Sequence, residues 1–261
     1  MIGWGIAFAL FAWWFSTGAI LLAVRHADRR GGHGLIVAAA LPLLALGIGL
    51  VSASLALVDV RGVFLGFSGA LLIWGWIELA FLAGVVTGPV RAAALPGQMG
   101  AARFSRAFGT LAFHELALVL GLFALVIASE GAANRMALAS YLILFLARIC
   151  AKLNLFFGVP RVNTEFVPDR LAYLASYFRR GPVTPAFPLA ITVLTVLLAV
   201  CAERLWQAET AAGQAGYALL STLAALALLE HWLMVVPLPD AKLWRWMLPA
   251  PADDERKTHG F

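Results

Sequence analysis

Charged side chains make up only 13% of the 261 residues, against 62% that are hydrophobic, and the mean hydropathy is +0.88. That balance excludes an ordinary soluble domain, whose surface needs about a quarter of its residues charged. Cysteine is nearly absent. Cys150 and Cys201 both lie within apolar segments, toward opposite ends of their spans, which excludes a disulfide-built scaffold. The net charge of +5 is spread over short loops, so no basic run supports nucleic acid as a partner. Catalytic signatures are missing too: there is no HExxH, no Asp-rich prenyl-diphosphate motif, no GxSxG and no phosphate-cradling glycine loop. The last apolar run holds no lysine, which excludes a rhodopsin-type Schiff base. No internal repeat is visible, and the one biased segment is the charged tail "ADDERKTHGF".

Long apolar runs are what the sequence does have. Crossing about 30 Å of hydrocarbon takes about 20 residues, and seven runs qualify: 2–24, 35–58, 62–87, 106–128, 135–157, 187–206 and 214–236. The expected fold is an all-α integral membrane protein, a bundle of about seven transmembrane helices. Residues 1–236 form the membrane domain, with a 158–186 loop inside it, and 237–261 form an interfacial tail. The first run has no basic flank before it and "RHADRR" after it, so it reads as an uncleaved span rather than a signal peptide. Pro42 falls near the start of the second span, where its missing N–H has no helical partner to lose. The "GVFLG" of Gly62 to Gly66 has the spacing of a small-residue helix contact.

Loop cations set the orientation. Arg25, Arg29, Arg30, Arg91, Arg103, Arg106, Arg161, Arg170, Arg179, Arg180, Lys242, Arg245, Arg256 and Lys257 fall on one side; Arg61, Arg135 and Arg204 fall on the other. The positive-inside rule then puts the N-terminus in the periplasm and the C-terminus in the cytoplasm. After the last span, "KLWRWM" interleaves cations with Trp244 and Trp246, as a tail resting on headgroups does.

Some ionisable residues fall inside the spans. They are Glu78 in span three, His114 and Glu115 in span four, Arg148 and Lys152 in span five, and Glu230 and His231 in span seven, with Asn154 close by. Counted at 1.5 Å per residue, all lie roughly 8–15 Å inside the cytoplasmic face. Arg148 and Lys152, four residues apart, share a helix face. Burying charges together costs far less than burying them singly, so the expectation is a mutually neutralising cluster in the bundle interior. Glu78 is the expected partner of Arg148, with Glu115 next. The plainer reading keeps Glu78, His114 and Glu230 as lone hydrogen-bonding residues at helix contacts and lets Lys152 snorkel to the headgroups. Intramembrane charges point to an ion or proton path, a ligand site or a partner contact. Histidines of this kind ligate porphyrin-type metals or carry protons, but no residue is assigned as catalytic or as a metal ligand.

In the loop, prolines 160, 168, 182, 185 and 188 isolate "PDRLAYLASYFRR", expected as a short helix with Leu171, Leu174, Ala175 and Phe178 along one face and cations at its end. It caps the bundle, lies on the membrane surface, or meets a partner through Arg170, Tyr173, Tyr177 and Arg179.

The stretches "WGWIELAFLAGVVTGP", "FHE" at 113–115 and "AKLNLFFGVPRVNTEFVPDRLAYLASYF" resemble the photosynthetic complex assembly protein 2 family, of the PuhE type, from purple phototrophic proteobacteria. The distinctive part covers roughly residues 70 to 190. The resemblance implies a gene beside those of the reaction centre and a multi-pass location in the bacterial inner, intracytoplasmic membrane. It implies a role in assembling the reaction centre and its core light-harvesting antenna, or in modulating bacteriochlorophyll supply to them. The implied partners are the lipid bilayer, reaction-centre and antenna subunits or other assembly factors. Bacteriochlorophyll or a related tetrapyrrole is the one cofactor class it leaves open. The family brings no agreed catalytic residues, so the expected protein is a non-enzymatic assembly factor. The alternatives are a transporter of a small solute or pigment intermediate and a membrane enzyme of pigment maturation.

Overall fold

A computed structural model describes residues 1–237; the expected interfacial tail, with Trp244, Trp246 and the tail cations, lies outside the described residues. Among the described residues the regular structure is helical throughout: α1 (Ile2–Arg30), α2 (His33–Ala39), α3 (Leu41–Ser54), α4 (Val60–Leu82), α5 (Gly100–Gly109), α6 (Ala112–Ala128), α7 (Met136–Phe157), α8 (Ala186–Trp206) and α9 (Ala211–Leu233). Six helices, counting α2 and α3 as one, are long and apolar enough to cross a bilayer, and the bent pair α5–α6 makes up to seven. The chain is a multi-pass membrane protein.

The expected spans are recovered with local changes. The first helix runs on through "RHADRR" to Arg30 before Gly31, at positive φ, ends it. The second is broken at Ala40, with Pro42 in the first turn of the new helix. The His33 ring lies 2.8 Å from the Asp28 carboxylate, tying the end of α1 to the start of α2. Two helices start on side-chain caps. Asp59 accepts from the Gly62 N–H at 2.8 Å, and Thr210 accepts from the Gly213 N–H at 3.0 Å.

Helices α4 and α9 are the most enclosed, each with half of its apolar window buried, and the others surround them. Lipid tails give apolar helices little reason to associate, so close packing has to do it. Small residues permit that packing where α3 meets α4: a Cβ on Gly69 would lie 2.8 Å from the Gly47 carbonyl oxygen. Gly66 serves the same end against Met136 and Ala137 of α7, whereas Gly62 accommodates the turn at Leu57. One core cluster joins Ala9, Phe67, Ile143, Leu219 and Leu223 from four helices.

Span four differs from expectation. It is not one helix from 106 to 128 but two, bent by 70° at Thr110–Leu111. The cause is a returning segment wedged into the break. Phe113 and His114 donate their backbone N–H groups to the Thr87 carbonyl at 2.9 and 3.0 Å, and Val90 donates to the Gly109 carbonyl at 3.0 Å. Gly88 fills the crossing, where any Cβ would run into the Gly109 carbonyl. The "TGPV" stretch therefore supplies the bonds that a continuous helix would have made for itself.

The loop helix also differs. Asp169–Tyr177 is a 3-10 helix, not an α-helix. With three residues per turn, i and i+3 side chains eclipse, so the inward stripe is Leu171, Leu174 and Tyr177, all buried. Ala175, expected on that stripe, is only half-buried. The stripe packs on Phe81, with Leu82 and Leu111 beside it, so this segment caps the bundle. Arg103 of α5 pins it, donating to the Tyr177 carbonyl at 2.7 Å and the Phe156 carbonyl at 3.3 Å while its guanidinium stacks on the Phe156 ring at 4.4 Å.

Candidate functional site

Beneath that cap, two ion pairs tie α7 to its neighbours. Arg148 Nη2 donates to Glu78 Oε2 of α4 at 2.5 Å, and Lys152 Nζ donates to Glu115 Oε1 of α6. Local structure explains each placement. One turn of α7 separates Arg148 from Lys152, so both leave the same face. The Thr87 carbonyl anchors the first turn of α6, and Glu115 sits in that turn, where a carboxylate is favoured by the helix dipole. The bend in span four thus aims Glu115 at Lys152. Lysine 152 is paired rather than snorkelling.

His114, fully buried, stacks on Phe81 with ring centroids 4.2 Å apart, and its Nε2 lies 3.7 Å from Glu78 Oε1. That separation is too long for a hydrogen bond. Opposite, the Trp13 indole N–H of α1 donates to Glu230 Oε1 at 3.0 Å. Glu78, Glu115, Arg148, Lys152 and Glu230 all line one cavity of about 680 Å³ enclosed by α1, α4, α5, α6, α7, α9 and the cap. Its walls are aromatic, with Trp13, Trp74, Phe81, Phe108, Phe156 and Phe178 among them. The two pairs cancel in charge, which is how four ionised groups coexist at this depth.

Two of the eight expected cluster residues stand apart. Asn154 is fully buried but does not line the cavity. Its side chain leaves α7 about 200° around the axis from Lys152. His231 is likewise buried outside the cavity, its Nδ1–H donating to the Ala227 carbonyl of its own helix at 2.8 Å. The four expected partner-contact residues divide as well. Arg170 and Arg179 are exposed and Tyr173 is half-buried, but Tyr177 is turned inward and donates its hydroxyl to the Ala92 carbonyl at 3.0 Å. Tyr177 is a piece of the cap, not a free surface.

Sequence reasoning missed Trp13, Phe81 and Thr87. Each is an unremarkable residue in its own segment, and its role depends on what lies opposite it in the fold. Chemically, the site offers paired charges inside an aromatic cage, suited to holding a molecule with a polar end.

Residues 1–255 match the model of a family described as a protein of unknown function, DUF3623. The chain belongs to the DUF3623 family. It is also 47% identical, over 246 residues, to the "uncharacterized 30.4 kDa protein in puhA 5′ region" of Rhodobacter capsulatus, an alignment covering 94% of this chain and 90% of that one. No solved structure matches the chain. The DUF3623 match takes in every helix described above and therefore all the cavity-lining charges.

Proposed function

We propose that this DUF3623 protein is an inner-membrane assembly factor for the photosynthetic reaction centre and its core light-harvesting antenna. In this reading it handles bacteriochlorophyll or modulates its supply through the intramembrane cluster. The relative whose name places it in the puhA 5′ region supports a photosynthetic setting, as does the resemblance of residues 70 to 190 to the PuhE-type assembly family. The observation that carries the reading is the cavity: an aromatic cage within the membrane bundle, with two neutralised ion pairs on its wall. Such a cage suits a large apolar molecule presented to a partner, and the exposed Arg170 and Arg179 lie on the cap above it.

Away from the cavity the bundle interior holds apolar side chains such as Val63, Phe67, Leu219 and Ala224, and the buried hydroxyls of Ser140 and Thr222 are taken up by carbonyls of their own helices. A conduit through the membrane would want polar groups there, so assembly is favoured over transport. The test is deletion of the gene in a phototrophic host. The expected result is less assembled reaction centre–antenna complex with pigment synthesis intact. Accumulation of one chemically unfinished pigment would instead support a membrane enzyme.

A further inference from the structure

Three carboxylates, Glu78, Glu115 and Glu230, and two cations, Arg148 and Lys152, line the cavity. Arg148 is bonded to Glu78 and Lys152 to Glu115, so among the described residues Glu230 is left without a cation of its own. Its hydrogen bond comes from a neutral donor, the Trp13 indole N–H at 3.0 Å from Oε1. Arg148 is near enough to act on Glu230 through space, but the Glu78 carboxylate at 2.5 Å offsets it. With every group ionised, the wall carries one negative charge in excess. That charge is open to the cavity. Leu223, Leu226 and Ala227 of α9 line the cavity and are buried. Glu230 lies within about 60° of them around the helix axis and lines the same cavity, yet it is exposed, so the space it meets is inside the bundle.

The chemistry of the wall narrows what can sit there. A carboxylate at this depth needs either a counter-charge or a proton. A positively charged ligand supplies the first, and the wall suits one: the faces of indole rings attract cations, and Trp13 and Trp74 both line the cavity. Much of the remaining lining is apolar, with Leu71, Phe81, Ile143 and Leu144 in it, so the charge has to arrive on an apolar body. The volume of about 680 Å³ falls within the usual range for small-molecule sites, roughly 300–1,000 Å³. The cap formed by Leu171, Leu174 and Tyr177 closes one end, which suits a compact body better than a partner helix running through. We propose that the cavity binds an amphipathic organic cation, with an amine-type end on Glu230 and a ring-containing apolar body against the aromatic walls. This goes beyond the proposed function. In that reading the aromatic walls answer to a neutral pigment, and Glu230 adds a preference for positive charge that the reading does not require.

The test uses the purified full chain in an uncharged detergent and three fluorescent probes: 1-pyrenemethylammonium, pyrene and 1-pyrenecarboxylate. Tryptophan-to-pyrene energy transfer reports binding. The cationic probe should bind roughly tenfold more tightly than pyrene, as expected for hydrogen bonds to a charged group, and the carboxylate should bind most weakly. Glu230→Gln keeps the size of the side chain and an oxygen for the Trp13 N–H. It should erase the preference and leave the affinity for pyrene unchanged. Glu203→Gln removes the same charge from an exposed position on α8 and should alter nothing. Gly75→Phe should weaken binding of all three probes by filling the cavity, since a Cβ at Gly75 meets only Ile20 Cδ1 at an ordinary 3.7 Å. Equal affinity for the cationic and neutral probes, the result of a protonated Glu230, would overturn the inference. So would a preference that survives Glu230→Gln, or binding unaltered in Gly75→Phe. Binding as expected, combined with normal complex assembly in the deletion strain, would overturn the assembly role and leave this site standing. An assembly defect without probe preference would do the reverse.

Discussion

Replacing Arg148 with leucine removes the cation that holds Glu78, and the structure sets the size of the effect. The Glu78 side chain is 9% exposed, so the stranded carboxylate cannot reach solvent without moving α4. Removing one partner of a buried pair costs about 3–5 kcal/mol. Lys152, one turn along the same face of α7, still attracts the Glu78 carboxylate and offsets part of the loss. Arg148→Leu therefore belongs at the lower end, about 3 kcal/mol. The reverse change is milder. Glu78→Leu leaves an arginine already one-third exposed, which can swing toward the cavity opening at a cost of about 2 kcal/mol. The double replacement puts two leucines against an apolar wall, and swapping a whole buried pair for hydrophobic residues is often close to neutral. We expect the double variant to lose about 1–2 kcal/mol, well short of the combined single losses, so a coupling of about 3 kcal/mol should appear. Thermal midpoints in detergent and steady-state levels in membranes, measured for both singles and the double, give that coupling. Losses that add to within about 0.5 kcal/mol would refute the pairing, and a stabilising Arg148→Leu would refute burial of the cluster.

The second pair should behave alike: Lys152→Leu and Glu115→Leu each lower the melting midpoint, and the double recovers part of the loss, as a second thermal cycle would report. If Lys152 were held by headgroups instead, its replacement would be harmless. Gly88→Ala should destabilise severely, because its Cβ would collide with the Gly109 backbone at the bend, whereas Gly75→Ala should be nearly neutral; comparing the yields of folded protein checks both. For orientation we predict a periplasmic N-terminus and a cytoplasmic C-terminus. A reporter active only in the cytoplasm should then work after Phe261 and fail before Met1.

The bundle was legible because each span carries its own signal, a run of apolar residues matched to bilayer thickness. The Arg148–Glu78 pair was legible for a related reason: a cation that deep needs a partner, and depth can be counted along a helix. Facing was harder. These helices are apolar nearly all round, so although the helical step already separates Asn154 from Lys152 and His231 from Glu230, nothing in the sequence said which of those faces lines the cavity. The bend in span four was hidden because its cause lies some twenty residues upstream, in the Thr87–Val90 segment that caps α6. The loop helix shows how narrow such a distinction can be. Periods of 3 and 3.6 share Leu171 and Leu174 and diverge directly after them, the first to Tyr177 and the second to Ala175 and Phe178. Trp13 could be found only once α1 was seen beside α9.

The central claim is that the intramembrane cluster is the working part of an assembly factor. The most direct measurement is the yield of reaction centre–antenna complex in a deletion strain supplied with the Glu78→Leu, Arg148→Leu double variant, with the variant's own membrane level measured alongside. The account predicts a variant present at close to the normal level and a complex yield that falls toward that of the deletion strain. A full yield from that variant would contradict it.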